Sequence, residues 1–134
     1  MTDQAYTRTN NCVFSLTYHM VLVVKRRRKA LTAAMLDVAR EVIKERCARR
    51  GGRLLEFGGE ADHLHMLVAL PPTEALADFA NAAKTGTSRR LRRDFPALKG
   101  LGPALWSPSY FVCSCGSASL ETVKGYVQAQ ERPD

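Results

Sequence analysis

The sequence predicts an α+β domain of the ferredoxin-like, split-βαβ plan, in which one antiparallel sheet carries helices on one face. The first observation is the order of hydrophobic periods along the chain, which is strand, helix, hairpin, helix, strand. The second is the length: 134 residues without a repeat or linker can form one core that buries roughly two thirds of the unfolded surface. The third is a helical pattern after the last strand, which predicts an additional C-terminal helix.

The first predicted strand follows a polar segment. Residues 1–11 lack a hydrophobic period, so we expect a flexible N-terminal arm before a single domain at 12–134. From Cys12 to Val24 apolar side chains alternate with period two, which predicts a strand. His19 lies on the opposite face from the alternating set Phe14, Leu16, Tyr18, Met20, Leu22 and Val24.

Turn and capping residues separate the elements that follow. Thr32 is a typical N-cap residue, and Gly58–Gly59 predicts the turn of a hairpin. The predicted elements are a helix from Thr32 to Gly51–Gly52, strands at Arg53–Phe57 and His63–Leu70, a helix at Thr73–Arg93, a loop at Phe95–Pro108, a strand at Tyr110–Cys115 and, capped by Ser119, a helix from Leu120 to about Glu131.

The net charge of +7 favours a polyanionic partner. The cations are clustered at Lys25–Lys29 and at Arg89–Arg93, although each run is also typical of a solvated face. No apolar run is long enough to span a membrane, and the start does not resemble a signal peptide, so we expect a cytoplasmic protein. The cysteines, which form no CxxC pair and are expected to be reduced, are Cys12, Cys47, Cys113 and Cys115.

Two histidines, His63 and His65, are spaced i, i+2 in a predicted strand, so both rings lie on one face. Two neutral imidazoles on one face can bind a single metal ion, or they can be surface or hydrogen-bonded histidines. Tyr126 and Gln130 are spaced i, i+4 on the predicted final helix and therefore share a side of it. A core tyrosine and a solvent-facing glutamine are the ordinary interpretations of this pair.

If these residues form one site, its ligands suit Mg²⁺ or Mn²⁺, which accept imidazole and amide oxygen and leave positions for phosphate. The chemistry would be phosphoryl transfer, in which the oxygen of Tyr126 attacks a phosphodiester and forms a phosphotyrosine link. No GxxxxGK[ST] loop is present in the sequence, and such a link can be rejoined without ATP.

Several motifs, in this order, resemble the single-tyrosine transposases of the HUH superfamily, the TnpA-type enzymes of the smallest bacterial insertion sequences. The resemblance covers nearly all of the chain after the arm. The motifs are Tyr18–Val21 leading to Lys25–Arg27, Asp62–His65, Lys84 with Ser88–Arg90, Phe95–Pro96, Leu105–Tyr110 and Tyr126–Gln130. Two positions depart from the family pattern: Ala61 stands where a proline is common, and Arg26 where an aromatic residue is common.

The resemblance implies that His63, His65 and Gln130 bind a divalent metal and that Tyr126 is the catalytic nucleophile. It implies an enzyme that cleaves and rejoins single-stranded DNA at insertion-sequence ends, recognises DNA hairpins and works as a homodimer whose active sites are shared between subunits. The residues expected to contact DNA are Arg26, Arg27, Lys84, Arg89 and Arg93.

Two other functions fit the same plan. One is a domesticated relative that acts on chromosomal repeat hairpins, and the other is a non-catalytic nucleic-acid-binding module with structural histidines. A histidine-triad hydrolase would need a histidine at Leu67, and a two-histidine phosphoesterase would need a second His-x-Ser/Thr motif, which the sequence lacks.

Overall fold

A four-stranded antiparallel sheet forms the centre of the protein in the computed structural model, which describes residues 7–8, 13–14 and 16–114. The strands are β1 (Thr7–Arg8), β2 (Val13–Phe14), β3 (Thr17–Val23), β4 (Arg53–Glu60), β5 (His63–Ala69) and β6 (Phe111–Ser114). Strands β1 and β2 pair separately, and the main sheet has the order β4-β5-β3-β6. The helices are α1 (Ala33–Arg49) and α2 (Leu76–Asp94).

The topology of the main sheet confirms the predicted ferredoxin-like plan. Numbered along the chain, its four strands lie in the order second, third, first, fourth, and every neighbouring pair is antiparallel. Each helix connects two strands that are not hydrogen-bonded neighbours, as the split-βαβ plan requires. The central strands β3 and β5 therefore have a partner on both sides.

Side chains alternate between the two faces of the sheet as the period of two predicts. On β3 and β5, Met20, Leu22, Leu64 and Met66 are at most 1% exposed and pack in the main core with both helices. The opposite face carries the neighbouring positions, because β3 and β5 align Val21 with His65 and Val23 with His63. The two predicted metal ligands therefore lie on the face away from α1 and α2.

The first helix agrees closely with its sequence signals. The hydroxyl of Thr32 accepts a hydrogen bond from the backbone nitrogen of Met35 at 3.3 Å, so the predicted N-cap is confirmed. The helix ends before Gly51, which has φ +77°, a left-handed conformation that favours glycine. The second helix begins at Leu76 rather than Thr73, because Glu74 donates its backbone N–H to Pro71 and forms a turn first.

The predicted hairpin turn was wrong. Gly58 and Gly59 lie inside β4, where they pair with His65 and Leu64, and the turn is formed by Ala61 and Asp62. The reason is steric: a Cβ on Gly59 would lie 2.8 Å from Leu36 Cδ2 of α1 and 2.8 Å from the carbonyl oxygen of His63. Glycine is used here for close packing and not for a turn.

Several other bounds differ from the predictions. The main strand begins at Thr17 instead of Cys12, and a two-residue strand, Thr7–Arg8, lies in the segment predicted as an arm. The predicted loop after α2 contains a 3₁₀ helix, Pro96–Leu101, and the last strand starts at Phe111. Cys12, Cys115 and the predicted final helix lie outside the described residues.

Burial makes Cys47 an inert core residue. It is 0% exposed, and burial raises the pKa of its thiol to about 12. Cys113 is half-buried on the histidine face, and burial raises its pKa as well. None of the helices in the described part of the chain is both long and apolar enough to cross a membrane.

Candidate active site

His63 and His65 lie side by side on β5, on the sheet face opposite the helices. Their ring centroids are 6.1 Å apart and their planes are inclined by 30°. Two rings bound to one ion through metal–nitrogen bonds of about 2.1 Å have centroids at most roughly 6.5 Å apart. The observed separation is close to this limit, which two ligands reach only on opposite sides of an ion, so the rings must move closer together to occupy adjacent positions on one ion.

The carboxylate of Asp62 contacts His63 and Arg27 through its two oxygens. Oδ1 accepts a hydrogen bond from Nδ1 of His63 at 2.9 Å, and Oδ2 accepts one from Nη2 of Arg27 at 3.2 Å. Burial acts to raise the pKa of Asp62, but the hydrogen bonds from His63 and Arg27 outweigh it and hold that pKa below its usual value. Asp62 is therefore a stable anion beside the first histidine.

The backbone of Gly58 lies against the ring of His65. Gly58 pairs with His65 between β4 and β5, and a Cβ added to it would lie 2.9 Å from both Cε1 and Nε2 of that ring. Real Cβ atoms essentially never approach other atoms so closely. The missing side chain at position 58 therefore makes room for the imidazole.

His19 is a third imidazole beside this pair, and the sequence analysis missed its proximity. It is 1% exposed, and its ring meets that of His65 edge-to-face, with centroids 5.6 Å apart. His19 lies on the same face of the sheet as His63 and His65, because β3 and β5 are neighbouring strands. Its place in the alternation of β3 is the sequence signal that could have indicated this. Only the register between the strands, which the sequence does not show, brings the rings together.

Apolar side chains surround the histidines. Val21 is 0% exposed and pairs with His65, and Val23, Leu67, Phe111 and Cys113 pack around it as partly buried neighbours. A site lined in this way has a lower effective dielectric than water, so charges in it interact more strongly. The attraction between a bound cation and an anion would therefore be stronger here than in water.

The remaining predicted catalytic residues are not placed. Tyr126 and Gln130 lie outside the described residues, so their relation to the histidines stays a prediction. Within residues 7–8, 13–14 and 16–114, no group of three or more His, Cys, Asp and Glu side chains is arranged to hold a metal ion. The two histidines are thus an incomplete ligand set in the described part of the protein.

The predicted DNA-contacting residues occupy different surroundings. Arg26, Arg89 and Arg93 are exposed, and Arg93 donates to Asp94 at 3.0 Å. Hydrogen bonds from Arg90 and Arg93 hold the pKa of Asp94 below its usual value. Lys84 donates to the carbonyl oxygens of Ser107 and Pro108 at 3.0 and 3.1 Å, so its ammonium also holds a loop in place.

A cavity of about 430 Å³ lies between α2 and the segment that follows the 3₁₀ helix. Its wall contains basic and hydroxyl side chains together with apolar ones. The residues that line it include Lys25, Lys84, Ser88, Arg89, Leu105 and Trp106. Two of the five predicted DNA-contacting residues, Lys84 and Arg89, therefore meet in one basic cavity.

Relatives with known assignments cover most of the chain. The ISDra2 transposase TnpA of Deinococcus radiodurans is 28% identical over 120 residues, which are 88% of this chain and 86% of that protein. The transposase for insertion sequence element IS200 of Salmonella typhimurium is 28% identical over 132 residues, 97% of this chain and 83% of that protein.

Solved structures share the fold. A crystal structure of a Deinococcus radiodurans R1 protein assigned as a transposase superposes with a TM-score of 0.78 and 26% identity, covering 95% of this chain and 99% of that one. A REP-associated tyrosine transposase bound to a REP hairpin has a TM-score of 0.58 at 15% identity, covering 84% of this chain and 62% of that one, and shows the fold alone. The family model described as "Transposase IS200 like" matches residues 12–130. The chain therefore belongs to the IS200-like transposase family, the single-tyrosine transposases that the motifs predicted.

Proposed function

We propose that this protein is a metal-dependent transposase that cleaves and rejoins single-stranded DNA through a 5′-phosphotyrosine intermediate. The observation that carries the proposal is the pair of histidine rings 6.1 Å apart on one sheet face, beside the anion of Asp62, in an IS200-like transposase. The residues proposed for the chemistry are His63, His65 and Gln130 as metal ligands and Tyr126 as nucleophile. The proposed metal is Mg²⁺ or Mn²⁺.

Each residue has a defined part in the proposed reaction. His63 and His65 bind through ring nitrogen lone pairs, and Gln130 binds through its amide oxygen. A divalent cation held by these residues would polarise the scissile phosphate and neutralise charge that develops on it. The phenol oxygen of Tyr126 attacks phosphorus as it loses its proton, the bond from phosphorus to the 3′ oxygen breaks, and that oxygen leaves as a 3′-hydroxyl.

The covalent link explains how the same site can join DNA. The phosphotyrosine conserves the free energy of the broken phosphodiester, so a 3′-hydroxyl can attack it, release Tyr126 and restore a DNA strand. Each cleaved end requires one tyrosine, and we propose a homodimer in which the tyrosine helix of one subunit serves the histidines of the other.

Basic side chains are proposed to hold the DNA on both sides of the sheet. Arg26 and Arg27 lie in the turn that follows β3, next to the strand that pairs with the histidines. Lys84, Arg89 and Arg93 lie on α2, which packs on the opposite face. Phosphate contacts from these three α2 residues lie across the sheet from the histidines, so they would position flanking DNA, such as a hairpin, and not the scissile phosphate. A transposase that shares the fold is bound to a REP hairpin in its own structure.

Formation of a covalent protein–DNA adduct tests the nucleophile. The wild-type protein is incubated with labelled single-stranded DNA from hairpin-bearing ends, with Mn²⁺ or Mg²⁺, and the products are separated in SDS. We expect an SDS-resistant adduct that is lost in Tyr126→Phe, because phenylalanine lacks the attacking oxygen, and lost with a chelator. Tyr110→Phe is the matched control and should retain the adduct. An adduct formed by Tyr126→Phe would disprove the assignment.

Complementation between inactive variants tests the shared active site. His63→Ala and Tyr126→Phe subunits are each expected to be inactive, and their mixed dimer should recover part of the cleavage. Recovery follows because one composite site would combine an intact histidine pair with an intact tyrosine. If verified mixed dimers stay inactive, each tyrosine serves its own subunit.

A further inference from the structure

The turn after β3 has an unfavourable backbone conformation. Arg26 and Arg27 have φ of +60° and +55°, in the left-handed region that residues with a Cβ rarely occupy. Neither is glycine, and they are consecutive. Such a conformation persists only where the surrounding contacts hold it, and it is often found where a side chain must be aimed.

Backbone hydrogen bonds hold this turn against the β4–β5 turn. Val24 donates to the carbonyl of Asp62 at 2.9 Å, and Leu31 donates to the carbonyl of Ala61 at 2.8 Å. The segment 24–31 thus contacts the two-residue hairpin turn from both of its ends. Lys25 also donates to the carbonyl of Leu105 at 2.8 Å, which joins a third segment to the turn.

The strained turn aims the guanidinium of Arg27 at Asp62. Both oxygens of that carboxylate then have a donor: Arg27 Nη2 at 3.2 Å and His63 Nδ1 at 2.9 Å. The side chains of Arg27 and Asp62 are 33% and 17% exposed, so water competes only in part for these contacts. The carboxylate cannot rotate without losing one of the two hydrogen bonds.

We propose that Arg27 and Asp62 are positioning residues that orient the ring of His63 and place its proton on Nδ1. A carboxylate only accepts hydrogen bonds, so a neutral His63 must donate from Nδ1 and carries its lone pair on Nε2, the nitrogen that would bind the metal. This inference rests on the proposed function for its metal, and it gives Arg27 a role in addition to the proposed DNA contact. Arg26, next to it, is exposed and forms no hydrogen bond to Asp62 in the described part of the chain.

The tautomer of His63 can be measured without metal or DNA. In metal-free protein with ¹⁵N-labelled histidine, the two ring nitrogens have distinct shifts, and only three histidines are present to be assigned. We expect the Nδ1–H form in the wild type at a pH where the ring is neutral, and a shift toward the Nε2–H form in Asp62→Ala and Arg27→Gln. Arg28→Gln, which removes an equal charge one residue away, should retain the wild-type tautomer.

Mn²⁺ affinity, measured by calorimetry, provides the second readout. Loss of such an outer partner typically weakens metal binding by about 10- to 100-fold, which is the decrease expected for Asp62→Ala. Arg27→Lys should recover part of the affinity lost in Arg27→Gln. If Asp62→Ala does not fold, as judged by circular dichroism, Asp62→Leu replaces it, because it keeps the approximate side-chain shape and removes both oxygens that accept hydrogen bonds from His63 and Arg27.

The outcomes separate this inference from the proposed function. An unchanged tautomer and unchanged Mn²⁺ affinity in folded Asp62 and Arg27 variants would overturn the positioning role. A tautomer that changes as expected, in a wild-type protein that binds no Mn²⁺ and forms no DNA adduct, would overturn the proposed function and retain the orientation of His63 by Asp62.

Discussion

Gly58→Ala is expected to reduce DNA cleavage by roughly 10²-fold, the cost of a misplacement of about 1 Å in an active site, without unfolding the protein. The new methyl group would lie 2.9 Å from Cε1 and Nε2 of His65, so the imidazole has to move. The obstructed atoms belong to a side chain, and the backbone of β4 and β5 can remain in place. Adduct formation and Mn²⁺ affinity measure the effect on the site, and thermal unfolding measures the effect on the fold.

Two other glycines provide controls for this prediction. Gly59→Ala, one residue away, would place its methyl group 2.8 Å from the carbonyl oxygen of His63 and should destabilise the fold instead. Gly100→Ala meets no atom within 4 Å and should change neither property. Wild-type cleavage and Mn²⁺ binding by Gly58→Ala would show that His65 does not need its observed position.

Trp106→Ala is expected to lower the free energy of unfolding by about 3–5 kcal/mol, the usual cost of removing a large buried aromatic side chain. Trp106 is 4% exposed, and its backbone forms a bridge with Val24. Its indole nitrogen donates to the hydroxyl of Thr87 at 2.9 Å, and that hydroxyl donates to the carbonyl of Ala83 at 2.7 Å. Loss of the side chain would open a cavity between α2 and the segment that holds the Arg27 turn.

Thr87→Val separates the hydrogen bond from the packing. Valine preserves the volume of this 0% exposed side chain but leaves the indole N–H of Trp106 unsatisfied, which should cost about 1–3 kcal/mol. Urea unfolding of the two variants measures both quantities. A Trp106→Ala loss no larger than that of Thr87→Val would mean that the indole contributes little by packing.

Local signals predicted most of the fold because they report on contacts within one element. Thr32 caps its helix through Met35, a residue three positions away, and this contact can be read from the sequence. The alternation in β3 and β5 likewise predicts which side chains face the helices. The sheet order then follows from the short list of topologies open to this order of elements.

Contacts between distant segments explain what the sequence did not show. A glycine pair is a common turn signal, but Gly58 and Gly59 are needed where β4 passes under His65 and beside Leu36. Without that information the turn was assigned to the glycines. The bend at Arg26 and Arg27 contains no glycine, so the sequence has no local signal for its left-handed backbone. The run of arginines indicates only a basic surface.

The candidate site was predicted in part. The spacing of His63 and His65 correctly places both rings on one face. Their neighbours His19 and Arg27 could not be found by spacing, because strand register and a turn bring them there from about 40 residues earlier. The roles of Tyr126 and Gln130 stay predictions.

Both ends of segment 24–31 form hydrogen bonds to the β4–β5 turn, and this has a consequence for folding. The oriented form of His63 depends on three stretches of chain, near residues 24–31, 61–63 and 105–107, which meet only through long-range contacts. Loop closure must be completed before such contacts are gained, so they belong to the cooperative folding of the whole domain. We therefore expect the histidine site to become ordered only when residues 105–107 pack against the other two stretches, as part of the folding of the whole domain.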